Sequence, residues 1–223
     1  MKYYAAIFLG IFVFAFAFTG CFRENALRAT ITGSGNLTNQ ERHAEQFTGV
    51  NVSGSAKVII TQNANPGVRV EADDNIISEV TTTFTNGALN IGMKGNSYSK
   101  ITVNVYVTMP EVKELTCSGS AQFITSSPIN TDELLCKVSG TGDFRISGTA
   151  ENQVIEVSGT GNFRNKDLNS KNCSVTISGT GNADVTVTDN LTARIAGVGN
   201  INYYGNPKSV SKEVLGVGNI TGH

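Results

Sequence analysis

A five-residue motif returns along this chain at intervals of about 20 residues, the length of a solenoid coil, and that spacing limits the fold more than any other feature. The copies are Ser118-Gly119-Ser120-Ala121-Gln122, Ser139-Gly140-Thr141-Gly142-Asp143, Ser158-Gly159-Thr160-Gly161-Asn162 and Ser178-Gly179-Thr180-Gly181-Asn182, then Ala196-Gly197-Val198-Gly199-Asn200 and Leu215-Gly216-Val217-Gly218-Asn219. Two earlier copies, Thr32-Gly33-Ser34-Gly35-Asn36 and Ser53-Gly54-Ser55-Ala56-Lys57, stand one such interval apart, and a stretch without the motif separates Ser53 from Ser118. A unit of this length cannot bury an apolar face alone. Stacked copies can, so the period signals a solenoid.

The slots beside the motif show which way each side chain faces. With the first motif residue as zero, slot −1 holds Val52, Cys117, Val138, Val157, Ile177, Ile195 and Val214. Slot −3 holds Val50, Leu115, Cys136, Ile155, Val175 and Ala193, and slot +5 holds Val58, Phe123, Phe144, Phe163, Ala183, Ile201 and Ile220. Slot +7 adds Ile60, Ile146, Val185 and Tyr203. Between them stand Lys137, Glu156, Thr176, Arg194 and Glu213 at −2, and Arg145, Arg164, Asp184 and Asn202 at +6. Period-two alternation on both sides of a Gly turn means two strands with apolar faces inward. Equal slots stacked about 4.8 Å apart make an all-β parallel β-helix. Phe123, Phe144 and Phe163 would stack inside it.

Gly at +1 and +3 suits corners that need positive φ or close backbone approach. Slot +4 carries Asp143, Asn162, Asn182, Asn200 and Asn219. These read as a structural corner ladder, because Asn and Asp tolerate left-handed geometry and hydrogen-bond locally. From Gln62 to Glu114 the pattern is less regular. Gly67–Ala72, Thr81–Thr85, Ala88–Met93 and Lys100–Thr108 read as strands, with Asn86-Gly87 as a hairpin turn. Asp73–Val80 could hold one helical turn with Asp73 or Asp74 as N-cap. The expected organisation is a β subregion over 32–117, containing the first coils and an irregular insertion, then regular coils over 118–223.

The first residues stand apart. Lys2 precedes an uncharged apolar run, Ala5 to Phe18, too short for a comfortable membrane span. The run ends in Phe18-Thr19-Gly20-Cys21, which resembles the lipobox of bacterial lipoproteins. That resemblance implies a signal peptide over 1–20, lipidation of Cys21 and a tether over 21–31. An ordinary secretory signal or a plain N-terminal anchor is the alternative. Acyl chains contribute about 0.8 kcal/mol per buried CH₂, so an acylated Cys21 would hold the chain on a membrane.

Composition narrows the function classes. The 24 Gly concentrate at the motif slots, so they mark a scaffold. Lys and Arg number 17 against 18 Asp and Glu, a net charge of −1, which leaves no surplus for phosphates and argues against nucleic acid. Only His43 and His223 are available as catalytic bases, so a Ser-His-Asp triad is not expected. Cys117, Cys136 and Cys173 lack metal-ligand spacing and fall at inward slots, so they read as small core residues. A Cys117–Cys136 disulfide would need slots two residues out of step. The Gly motif lacks the Asp and the short period of calcium-binding β-rolls, and strands follow where a phosphate loop needs a helix. No cofactor or metal is expected.

Phe47-Thr48-Gly49-Val50-Asn51-Val52-Ser53-Gly54-Ser55, followed by tandem Ser-Gly-Thr-Gly-Asn blocks and Gly199-Asn200-Ile201, resembles the GIN-domain family of autotransporter-adhesin head domains. The resemblance covers roughly residues 32–222. It implies a right-handed parallel β-helix outside the cytoplasm, on secreted or lipid-anchored proteins common in Bacteroidetes, and it carries no catalytic residues. The expected function is therefore a non-catalytic binding or adhesion role in the cell envelope, at the outer membrane, with a glycan or protein ligand. A polysaccharide lyase or hydrolase on the same fold, or a purely structural spacer, is the alternative. The coil near Leu215–His223 shows no polar cap, so a homo-oligomer formed by coil-end stacking is also expected.

Overall fold

The computed structural model describes residues 30–223. The leader, Cys21 and most of the tether lie outside the described residues. Those that are described form strands and turns with no helix. Parallel coils stack into a β-solenoid, and the slots predicted from the repeat fall into register. Val50, Leu115, Cys136, Ile155, Val175 and Ala193 are consecutive partners in one column. Val58, Phe123, Phe144, Phe163, Ala183, Ile201 and Ile220 form another. The columns are buried because each coil covers the next. Phe123, Phe144 and Phe163 stack with ring centroids 4.7 and 4.4 Å apart, a contact that adds to the burial of three large rings.

The glycine at slot +1 is required by close approach. A Cβ on Gly140 would lie 2.1 Å from the Gly119 carbonyl oxygen, and one on Gly159 would lie 2.2 Å from that of Gly140. Neither carries a left-handed φ. The backbone at the corner therefore stacks on backbone, and any side chain would wedge the coils apart. The non-glycine residues with positive φ are Asn86, Lys100 and Asn206, none of them in the slot +4 ladder. The ladder residues have strand conformation, and left-handed tolerance is not what selects Asn there.

The irregular stretch is where the stack closes. Gly49–Val52 pairs in parallel with Glu114–Cys117 on one side and Ala88–Met93 on the other. Ser55–Gln62 likewise lies between Ser120–Thr125 and Val103–Met109. The coil built from Ala88–Met93 and Val103–Met109 thus sits beneath the coil that precedes it in sequence. The long interval between Ser53 and Ser118 closes in space because the chain descends, turns and returns. Antiparallel strands then cover this end: Val80–Thr85 on Ala88–Met93, Gly67–Asp73 on Val103–Met109, and Leu37–Arg42 on Gly67–Asp73. Asn86 and Gly87, with φ of 53° and 74°, make the expected hairpin turn.

Two expectations are corrected here. Residues 74–79 form turns, one of them the single expected helical turn, closed by Ile77 N–H donating to Asp73 O at 2.9 Å, but neither Asp caps it. The Asp73 carboxylate caps no helix. It accepts from Gly35 N and Thr102 N, each at 2.7 Å, while Asp74 accepts from Ser34 Oγ. The early motif copy Thr32–Asn36 is not a coil corner either. Strand Thr30–Thr32 pairs with Ser97–Ser99 in a separate two-stranded sheet, and Gly35 turns with φ of 82° toward the buried Asp73.

Candidate functional site

Successive corners leave a groove across the outer face of the coils. At each corner the Ser-Gly backbone is pinched against its neighbour, while the residues at −2 and 0 project on either side. The resulting groove holds about 400 Å³ and runs past Thr116, Lys137, Glu156 and Thr176 on one side and Ser118, Ser139, Ser158 and Ser178 on the other. Ser118 and Ser158 donate their hydroxyls to Val52 O at 3.5 Å and Val138 O at 3.2 Å, so their oxygen lone pairs face outward. Lys137 Nζ lies 3.2 Å from Glu156 Oε2, which balances the charges of the groove. Beyond Thr176, Arg194 pairs with Glu213.

The face past the corner carries the slot +4 residues in register. Asn182 Nδ2 donates to Asn162 Oδ1 at 3.3 Å, Asn200 Nδ2 to Asn182 Oδ1 at 3.2 Å, and Asn219 N to Asn200 Oδ1 at 3.1 Å. Asp143 lies at the start of this row. It binds Arg164 at 2.9 Å and Arg145 at 3.4 Å. Asn162, Asn182 and Asn200 thus each spend side-chain hydrogen-bonding capacity on the coil beside them. A second ladder escaped the sequence reading: Asn172 Nδ2 donates to Asn152 Oδ1 at 3.0 Å, and Asn190 Nδ2 to Asn172 Oδ1 at 2.7 Å. Its signal was available, since each of these Asn stands at slot −6 of its motif.

Other titratable groups are tied up in pairs or buried. Lys171 binds Glu151 at 2.6 Å, a hydrogen bond that raises the Lys171 pKa, and Lys208 binds Asp189 at 2.7 Å. Cys117, Cys136 and Cys173 are free buried thiols. Burial pushes the Cys173 thiol up to about 12 and Cys136 higher still, so neither provides a thiolate at neutral pH. Cys117, raised by burial too, donates to Thr141 O at 3.1 Å. His43 is exposed beside Glu45, and the His223 ring stacks on Tyr204 at 5.0 Å. Among the described residues no group of three or more His, Cys, Asp or Glu is placed to hold a metal ion. One buried polar residue breaks an apolar column. Asn165 stands at slot +7 between Ile146 and Val185, and accepts from Ile146 N at 3.0 Å where the strand register shifts.

Residues 46–207 match the model of a protein family described as "Putative auto-transporter adhesin, head GIN domain". The chain belongs to this family. Solved structures share the fold. One, a putative adhesin from Bacteroides fragilis NCTC 9343, is 20% identical, covers 86% of this chain and all of its own, and superposes with a TM-score of 0.69. Another, a putative lipid binding protein from Parabacteroides distasonis ATCC 8503, is 23% identical, with coverage of 87% and 100% and a TM-score of 0.55. A putative adhesin from Parabacteroides merdae ATCC 43184 is 24% identical, with coverage of 87% and 99% and a TM-score of 0.51. No curated protein matches the chain. Membership in an adhesin-like family implies an envelope- or surface-associated protein.

Proposed function

We propose that this protein is a non-catalytic adhesion module, anchored by acyl chains on Cys21 at the outer membrane, whose solenoid presents the corner groove to a glycan or protein ligand. The observation that carries the reading is the chemistry of the groove: a row of hydroxyls from Ser118 to Ser178, whose single carboxylate, Glu156, is neutralised by Lys137. Hydroxyl rows at a fixed spacing suit a repeating polar chain, which accepts and donates at each unit. A glycoside hydrolase needs two carboxylates facing each other across the scissile bond. In the corner groove Glu156 is the one carboxylate, and on the outer face Glu151, Asp189 and Glu213 each pair with a Lys or Arg.

The test uses the chain from Phe22 onward on glycan arrays and on envelope and host-cell protein extracts. Binding is expected, and Ser139→Leu with Ser158→Leu, which fills the groove from outside, should abolish it. Silence in every assay, or binding unchanged by the filled groove, would refute the reading and leave a structural spacer. Release of reducing ends or unsaturated uronides from polysaccharide would replace it with an enzyme. The anchor is tested by palmitate labelling: the label should enter the full chain and be lost in Cys21→Ser.

A further inference from the structure

The two ends of the stack differ in what they expose. Ser209–Val214 pairs only with the preceding coil, and so does Val217–Gly222. Of the large hydrophobic side chains exposed among the described residues, Leu37 alone lies elsewhere; Val198, Val210, Val214, Leu215 and Val217 gather at this end. Three of these mark a change of residue type. At slots 0 and +2 the earlier coils carry Ser or Thr, as in Ser158 and Thr160, whereas the last two carry Ala196 and Val198, then Leu215 and Val217. Val198, Leu215 and Val217 are 51, 63 and 68% exposed. The core does not need them, and an apolar cluster on a bare strand edge is an association surface.

We propose that this C-terminal end docks a second copy of the chain, tail to tail, about a two-fold axis. Head-to-tail stacking would build a filament, but it would set this apolar cluster against the mostly polar edge strands Leu37–Arg42 and Val80–Thr85 at the other end. Two C-terminal ends can still meet, and a two-fold axis pairs their edges antiparallel. Val217 N and His223 N point back to Gly197 O and Tyr203 O. By strand alternation Gly218, Ile220 and Gly222 therefore turn their amides and carbonyls to the open side. Centred on Ile220, the pairing sets that residue against itself, Gly218 against Gly222 and Asn219 against Thr221. No charge meets a like charge, because Val217–Gly222 contains none.

One side chain competes with docking. Slot −3, apolar in the coils beneath, holds Lys212 in the last one. Its Nζ donates to Ile220 O at 3.2 Å and lies 4.6 Å from the centre of the Tyr203 ring. It holds a carbonyl that an incoming strand would use, and it must swing aside. The end of one coil offers few residues, so the dimer is a weak one, populated at high concentration. This surface is separate from the corner groove and independent of the ligand reading.

Sedimentation velocity of the chain from Phe22 onward, from low micromolar to near-millimolar concentration, tests the proposal. A monomer–dimer equilibrium is expected. Leu215→Ser with Val217→Thr, which restores the residue types of earlier coils, should raise the dissociation constant at least tenfold with an unchanged circular dichroism spectrum. Lys212→Ala should lower it several-fold. Monomer at every concentration in both the parent and Lys212→Ala overturns the proposal, and so does a dimer indifferent to the Leu215 and Val217 changes.

Discussion

The regular coils and the N-terminal end are built from the same alternating strands, yet they solve opposite problems. From Ser118 onward each coil repeats the last and leaves a fresh edge for the next. Between Gln62 and Glu114 the chain stops repeating, because it must end the stack. It does so by placing one coil beneath its predecessor and laying antiparallel strands over it. Loss of the motif thus marks the end where antiparallel strands extend the stack, while the coils that keep the motif pair in parallel through Val217–Gly222. A solenoid exposes pairing groups wherever its repeat stops without a cover.

Glycine substitutions probe that contrast most strongly. Gly159→Ala should destabilise the protein by about 3 kcal/mol in urea unfolding, because the new Cβ would push against backbone, the Gly140 and Ser139 carbonyls. Gly35→Ala at the covered end meets nothing within 4 Å and bears only the strain of its left-handed φ, about 1–2 kcal/mol. Equal losses at the two sites would erase the distinction between stacked corners and ordinary turns.

Asp73→Asn tests how the cover is fastened. Its carboxylate, 1% exposed, receives the Gly35 and Thr102 amides. An amide in its place turns a donor toward one of them, at a cost of about 1–3 kcal/mol. The loss should appear locally, as faster protease cleavage near residues 30–42 than in the coils. Uniform loosening would mean that the cover and the coils unfold as one unit.

A pH dependence arises from two thiols buried in the coils. Cys173 has a folded pKa raised from 9 to about 12 by burial, and Cys136 is raised further. A raised folded pKa gives stability that is complete below the unfolded value and is lost as pH rises, here across the window from 9 to 12. Stability should fall by about 1 kcal/mol for each pH unit above 9 that one thiol resists, and less steeply in Cys173→Ala. A slope unchanged in that variant would show that Cys173 contributes nothing to it.

Much of this fold was legible because inward and outward slots differ in kind. The columns through Phe123 and Phe144, or Leu115 and Cys136, follow from alternation and period alone. The coil order did not, because the Ala88–Met93 and Val103–Met109 strands alternate like any others and lack the motif that would place them. Thr32–Asn36 has the motif's letters, but its neighbours belong to a small separate sheet, so identity without flanking columns misled. Asn165 is polar at a buried slot because a backbone amide there needs an acceptor, a need visible only once the strands are in register. The corner groove was implicit in the −2 and 0 slots. Its concavity, however, depends on how tightly the glycine backbones stack, and residue types do not state that.

Paired cysteines test the coil order most directly. Asn51 and Thr116 are in-register neighbours although they lie far apart along the chain, so Asn51→Cys with Thr116→Cys should be joined by a short bis-maleimide in the native protein. An uninterrupted repeat would instead put Asn51 beside Glu71, one coil length further along. Linkage of Asn51→Cys to Thr116→Cys, with none to Glu71→Cys, is the predicted result; the reverse pattern would contradict the closed end and with it the contrast between the two halves of the molecule.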